Sequence, residues 1–472
     1  MTAPLWSETS AVEATGGHAV GTWSAQGVSI DSRSIAPDDL FVAIEGPRLD
    51  GHDFVATAMK SGAAAALISR RPDDIDADTP SLEVPDTLEA LRALAVAARA
   101  RTEARIIAVT GSVGKTSTKE ALRLALENQG KTTASASSFN NHWGVPLSVA
   151  RMPGDTDFGV FEVGMNHAGE IEPLSKIIRP HVAVITTIEP AHIEFFDSIE
   201  GIADAKAEIF TGMSGGTAIL NRDNPLFERL ATAARDSGID TILSFGQHAD
   251  ADARLVSHAT DRNGSNVEAD IAGRRIGYRL SMPGKHFVMN SLAVLAAISA
   301  VGGKVATAAR TLEALVPLDG RGRRHEIAFK DDSFTLIDES YNANPASMRA
   351  AFEALAMTRP GPNGRRIVAL GEMRELGGRS ATFHRELADE IQARGIDMVF
   401  ACGPRMADMY GDLPRALQGG FAEDSTGLAG KVCSTVRGGD VVVVKGSLAS
   451  GMKKVVDALM ALRSAAANAV NG

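Results

Sequence analysis

A short apolar run, Ile106–Val109, passes directly into Thr110-Gly111-Ser112-Val113-Gly114-Lys115-Thr116 and then into a helical pattern reaching about Asn128. A strand, a glycine-rich turn and a helix in that order aim backbone amides and a helix N-terminus at phosphate oxygens. Lys115 then reaches the β- and γ-phosphates, and the Thr116 hydroxyl reaches a Mg²⁺ ion. The strict phosphate-loop pattern has one more glycine, at the position held here by Val109. Such a unit belongs in a parallel sheet. Strand-like runs at Gly159–Val163, Val182–Thr187, Thr217–Leu220 and Ile242–Phe245 follow with helical patterns between most of them, which predicts a sheet covered on both faces. Residues 253–282 read differently, as short alternating runs about the turn signal Asn263-Gly264, and predict an antiparallel appendage before a closing helix, Val288–Ala300.

Two further segments flank this unit in a chain of 472 residues. The first holds apolar runs at Leu40–Ile44 and Ala64–Ile68 and ends in the helical stretch Leu88–Arg101. After Pro317–Gly322 the strand–helix alternation restarts, with runs at Thr335–Ile337, Ile367–Leu370, Met398–Ala401 and Val441–Val444. The expectation is an α/β protein of three domains: a small α/β domain at 1–100, a P-loop domain with a parallel sheet at 101–318, and a Rossmann-like α/β domain at 319–472. Forty-eight basic against 58 acidic residues, with no basic tail, argue against a nucleic-acid partner. No apolar run approaches the ~20 residues that span a bilayer, and the N-terminus lacks a signal-peptide pattern. Two cysteines, Cys402 and Cys433, form no disulfide framework. The expected setting is the cytoplasm, with no membrane partner.

Downstream of the phosphate loop, Glu162 closes its strand, where α/β sites collect their functional groups. His192 follows the next strand, in Glu189-Pro190-Ala191-His192. Lys206 lies in the helical run Ile202–Glu208 and reads as a helix-surface lysine, for which an intrahelical ion pair is the plain explanation. Arg321, Arg323 and Arg324 sit at the expected hinge, where the plain reading is a solvated basic patch. The polar run Asp338-Glu339-Ser340-Tyr341-Asn342-Ala343-Asn344-Pro345 exceeds what helix capping alone requires. Lys445-Gly446-Ser447 resembles an anion-binding turn.

Together these residues resemble the Mur ligases over nearly the whole chain. The resemblance rests on the phosphate loop, Asp31-Ser32-Arg33, Phe41–Phe54, and Phe139-Asn140-Asn141 leading to Gly144–Leu147. It continues in Glu162–His167 with Gly169-Glu170-Ile171, and most diagnostically in Asp338–Pro345. That last run points within the family to the members that join D-alanyl-D-alanine to UDP-N-acetylmuramoyl-tripeptide.

The resemblance implies an ATP-dependent ligase that forms an acyl phosphate, then an amide, using two Mg²⁺ ions. Gly111, Ser112, Val113, Gly114, Lys115 and Thr116 would hold ATP, with Asn290 at the adenine and Arg321 at the γ-phosphate. Thr116 and Glu162 would bind one ion; Glu162, His192 and a carbamylated Lys206 would serve the second. Ser32, Arg33 and His52 would cradle the UDP moiety. Asn140, Asn141, Asn166 and His167 would line the path of the muramoyl peptide. Asp338, Tyr341, Asn342 and Asn344 would meet substrate on the third domain, and the enzyme would act as a monomer. Phe287 stands where the family often has Asn, which predicts stacking on adenine, and Leu448 stands where an Arg is common. Another amide ligase of the same superfamily, such as a folylpolyglutamate synthase, is the alternative within this chemistry. A nucleotide switch is the alternative outside it; it lacks an N-K-x-D guanine motif and leaves the third domain without a purpose.

Overall fold

The computed structural model describes residues 3–136, 139–261 and 263–463. Its centre is a nine-stranded sheet. From one edge the strands run Thr132–Ala134, Phe158–Glu162, Arg105–Thr110, Val182–Ile185, Thr217–Asn221 and Thr241–Gly246, all parallel. The chain leaves Arg105–Thr110 for one side and later returns to the other, so the phosphate loop emerges at a reversal of strand order. Ligand crevices form at such points, outside the carboxyl ends of the strands.

The stretch predicted as an appendage is part of this sheet. Ala253–Asp261 pairs in parallel with Thr241–Gly246 through Phe245 and Gly246, and the antiparallel strands Gly264–Ile271 and Arg274–Leu280 continue from it. Two ladder pairs suffice to carry the sheet across, and alternating polarity alone does not reveal that. The closing helix begins earlier than predicted, at Lys285, and runs to Ala300.

The N-terminal segment holds a five-stranded sheet in place of the two strands expected. The two expected strands are present as Asp39–Val42 and Ala65–Ile68, and the three added members, His18–Val20, Gly27–Ser29 and Ser81–Glu83, have three residues each, too few to show a pattern. The C-terminal segment forms a six-stranded sheet in which Val441–Lys445 lies between Asp332–Glu339 and Arg366–Leu370. Its first strand, Arg323–Phe329, pairs antiparallel with Asp332–Glu339. Two arginines expected to form a loose hinge patch are therefore ordered. Arg323 opens the strand and pairs with Asp319 at 2.7 Å, and Arg324 donates to Thr358 Oγ1 at 3.0 Å.

Apolar packing divides the molecule unevenly. One continuous core joins Trp6 of a separate two-stranded ribbon, Leu40 and Leu67 of the five-stranded N-terminal sheet, helix Thr87–Ala100, and one face of the central sheet. Trp6 reinforces the join: its indole N–H donates to the Ala150 carbonyl at 3.0 Å and the Arg101 guanidinium stacks 4.2 Å from its ring. The opposite face of the central sheet packs on helices Lys115–Glu127 and Lys285–Ala300. The C-terminal sheet keeps two cores of its own.

Neighbouring strands of that sheet are stapled at their amino ends by Arg365 and the fully buried Asp440. Asp440 Oδ2 takes the Arg365 guanidinium at 2.7 Å, and Oδ1 takes the Arg365 amide at 2.9 Å. Removing one partner of a buried pair strands the other, at a cost of roughly 3–5 kcal/mol. Asp440→Ala is expected to lower the urea midpoint of the C-terminal unit accordingly, read by far-ultraviolet circular dichroism.

Candidate active site

The carboxyl edges of the central and C-terminal sheets face each other across a cavity of about 490 Å³. The phosphate loop forms one wall. Gly111 stands at φ +142°, and a Cβ there would collide with Thr186 Oγ1. That hydroxyl instead donates to the Val113 carbonyl at 2.6 Å, clamping the loop's curl. Gly114, at φ +89°, starts helix Lys115–Glu127 and lies so close to Asn290 that an added Cβ would sit 2.7 Å from its Nδ2. The carboxamide predicted to meet adenine is thus held against the loop itself. Ser112 turns its hydroxyl to a neighbour, donating to the Glu189 carbonyl at 2.9 Å and accepting from the Glu189 amide at 3.0 Å.

Lys115 Nζ donates to the Gly111 carbonyl at 2.7 Å. Burial of the ammonium lowers its pKa from the ordinary lysine value; Glu162 opposes that shift and Arg321 adds to it. Glu162 is buried, at register with Val109 on the loop strand. Its Oε1 accepts from Asn140 Nδ2 at 2.7 Å, whereas Oε2 is buried with no hydrogen-bond partner among the described residues. An unpaired buried carboxylate oxygen is costly, so its persistence beside a phosphate loop points to a cation. Thr116 and His192 lie on the same cavity, and this oxygen-rich donor set suits Mg²⁺. Among the described residues no three His, Cys, Asp or Glu side chains cluster to hold a metal alone. That fits an ion that shares its ligands with phosphate and water.

Asn140, Asn166, Asn290, Arg321, Tyr341, Asn342 and Asn344 also line this cavity. Arg321 stacks 4.2 Å above the Tyr341 ring. Asn344 caps helix Pro345–Met357 through Ser347, and its conformation serves that cap. Phe287 lines the cavity beside His286, their ring centres 4.0 Å apart.

Other predicted residues stand elsewhere or, as with Lys445 on the cavity wall, are already paired. Asn141 Oδ1 accepts from the Trp143 and Gly144 amides, capping the next helix. His167 is exposed, 3.0 Å from Glu170 and stacked 4.4 Å from Phe195. Asp338 is buried off the cavity, with Oδ1 bound by the Ser340 hydroxyl at 2.6 Å. Ser32, Arg33 and His52 gather at the carboxyl edge of the N-terminal strands. Arg33 binds Asp31 at 2.7 Å, and the buried His52 links Asp50 at 2.6 Å to the Ser69 amide at 3.0 Å. Lys445 is not free to bind an anion: its buried ammonium pairs with Glu339 at 3.1 Å and donates to the Asn342 carbonyl at 3.0 Å.

Lys206 corrects the surface reading. It is buried, at the end of helix Ile199–Ala207, and no ion pair of Lys206 occurs among the described residues. The two acids nearest in sequence are committed elsewhere: Asp204 accepts from Arg229, and Glu208 spends its carboxylate on the Gly169, Ile171 and Glu172 amides. Burial, aided by Lys115, pushes the Lys206 pKa well below the usual lysine range. Sequence reasoning also passed over Thr186, Glu189 and Glu375, since none belongs to a local motif.

Models of three Mur ligase domains match the chain: the family's catalytic domain at 24–99, the middle domain at 109–298 and the glutamate ligase domain at 323–448. A UDP-N-acetylmuramoyl-tripeptide–D-alanyl-D-alanine ligase of Rickettsia prowazekii is 34% identical over 91% of this chain and 94% of its own. The chain belongs to the Mur ligase family. The ligase of the same description from Escherichia coli is 34% identical over 92% of this Mur ligase and 93% of itself. A crystal structure of MurF from Acinetobacter baumannii superposes with a TM-score of 0.83 at 29% identity, covering 97% of this chain and 99% of the other. That of MurF from Thermotoga maritima, in complex with ADP, gives 0.77 at 27% identity, over 92% and 97%.

Gly111→Ala tests the loop geometry. Both the positive φ and the contact with Thr186 oppose a side chain, so Mg-ATP affinity is expected to fall more than about tenfold with the fold retained. Isothermal titration of the variant and the parent measures the difference.

Proposed function

We propose that this Mur ligase joins D-alanyl-D-alanine to UDP-N-acetylmuramoyl-tripeptide at the expense of ATP. The observation that carries the reading is the confrontation of two sheet edges, one bearing a phosphate loop and an unpaired carboxylate, the other Arg321 and the run Tyr341–Asn344. The activity named for relatives aligned over nine-tenths of the chain supports it. Residues 1–100 bind the UDP moiety, 101–318 bind ATP, and 319–472 receive the dipeptide. A nucleotide substrate and an ATP supply place the reaction in the cytoplasm, and the enzyme acts as a monomer.

The tripeptide carboxylate oxygen attacks the γ-phosphorus of ATP. A carboxyl-oxygen–phosphorus bond forms, the bond to the β,γ-bridging oxygen breaks, and ADP departs. The dipeptide amine then adds to the acyl carbon, phosphate leaves with the carbon–oxygen pair, and the amine gives up its proton. Lys115 and Arg321 bracket the transferring group, so positioning and charge neutralisation supply most of the rate. Asn140 orients Glu162 through Oε1, and Thr186 holds the loop in its bound shape. Thr116, Glu162 and His192 would hold two Mg²⁺ ions, which neutralise phosphate charge when bound. Lys206 contributes by becoming a carbamate. Its depressed pKa leaves a larger share of neutral amine at neutral pH, and the neutral amine is the form that adds CO₂.

Phosphate release by the purified protein with Mg-ATP and UDP-N-acetylmuramoyl-tripeptide is expected to require D-alanyl-D-alanine and to yield a product heavier by the dipeptide less water. Release with a single amino acid and a shorter acceptor would move the specificity within the family. No acceptor-dependent release would sink the ligase reading. For Lys206, a carbamate carbonyl resonance from ¹³C-bicarbonate is expected in the parent and absent in Lys206→Gln, with turnover lowered at least about 100-fold. A parent without that resonance in the presence of Mg-ATP would refute the modification.

A further inference from the structure

The segment Glu189–Phe196 is anchored on both sides of the cleft. On the central side, the Ser112 hydroxyl holds both backbone groups of Glu189. On the C-terminal side, the Glu194 amide donates to the Glu375 carbonyl at 3.2 Å. Gly377 packs onto Glu194 so closely that an added Cβ would lie 3.1 Å from its Cα. Ile193 packs against the core shared by the first two sheets and against a core of the C-terminal sheet. His192 stands between these anchors at φ +60°, and Glu375 faces it at φ +61°. Two non-glycine residues in the left-handed region persist only where their surroundings fix them. Across the gap, Glu375 Oε2 comes to 2.5 Å from His192 Nδ1, a close charge contact without hydrogen-bond alignment, and the buried Nδ1 has no hydrogen-bond partner among the described residues.

We propose that Glu375 is a positioning residue for His192: its carboxylate holds the ring proton on Nδ1 and presents the Nε2 lone pair for ligation. The proposal rests on the function proposed above only in giving His192 work at the phosphate centre. The physical reason is direct. An unprotonated ring nitrogen 2.5 Å from a carboxylate oxygen would be repelled, so this contact favours the proton on Nδ1 over Nε2. Outer carboxylates orient ligating histidines in this way. Here the carboxylate comes from the other sheet, so the histidine is set correctly only when the C-terminal unit is docked. Ser112 ties the same segment to the phosphate loop, and docking and nucleotide binding therefore act on one short stretch of chain.

The test uses the full chain, ¹⁵N-labelled at histidine, without ligands at pH 8, with His192→Gln identifying the His192 signals. The parent is expected to show a protonated Nδ1 and a bare Nε2. Glu375→Ala is expected to revert to the Nε2-protonated tautomer, and Glu375→Gln, whose amide oxygen still accepts, to keep the parent pattern. In turnover, Glu375→Ala is expected to lose about 10- to 100-fold in kcat, with KM for ATP within about threefold, and Glu375→Gln to recover much of the loss. An unchanged tautomer in Glu375→Ala overturns the proposal whatever the kinetics. So does an unchanged kcat, or a loss that appears as a raised KM together with a lowered thermal midpoint. A parent that fails to ligate the dipeptide, while Glu375→Ala still switches tautomer, overturns the proposed function and upholds the contact.

Discussion

One carboxylate oxygen of Glu162 is buried without a hydrogen-bond partner among the described residues, and the surrounding architecture holds it there. The register of Phe158–Glu162 against the loop strand brings the side chain to the switch point. Asn140 occupies the other oxygen and fixes the carboxylate plane. A buried carboxylate oxygen so placed is costly to leave unpartnered, and a cation would relieve that cost. Glu162 and Arg321 both lie near enough to act on the Lys115 ammonium, which turns to a loop carbonyl. The site is therefore electrostatically unfinished, in the way that favours a metal-bound triphosphate.

The C-terminal side meets this with groups that are already partly committed. Lys445 neutralises Glu339 and supports the Asn342 carbonyl, and Asn344 begins a helix. These bonds shape the rim from within. A polar run that looked in sequence like a row of ligand contacts divides into scaffold, namely Asp338 and Ser340, and cavity wall, namely Glu339, Tyr341, Asn342 and Asn344.

What was legible in the sequence follows the range of the interactions. The phosphate loop was readable because strand, glycines and helix are contiguous and each needs its own residue type. Glu162 and His192 were readable from their positions at strand ends. Burial of Lys206 was not, since it depends on packing between helices and on Glu208 turning away to cap the helix Ile171–Ile178. Ser32 and His52 were placed by resemblance, and their separation from the cavity emerges only from the arrangement of the first two sheets. Glu375 left no local signal, because its role arises where a loop of one sheet meets a loop of another. The antiparallel strands after Ala253 were read correctly in kind and wrongly in attachment, for a two-residue parallel ladder has no signature of its own.

The core shared by the first two sheets makes those units mechanically one body. No flexible joint separates them, because helix Thr87–Ala100 is packed into the same apolar mass as the strands on either side. The C-terminal sheet has separate cores, and among the described residues Ile193 packs against both that body and one of them. In this chain the three larger sheets thus pack as two bodies, joined through Asp319–Arg324. Heating would melt it in two steps, and the surface holding Ser32 and His52 would keep a constant distance from the phosphate loop while the third sheet swings.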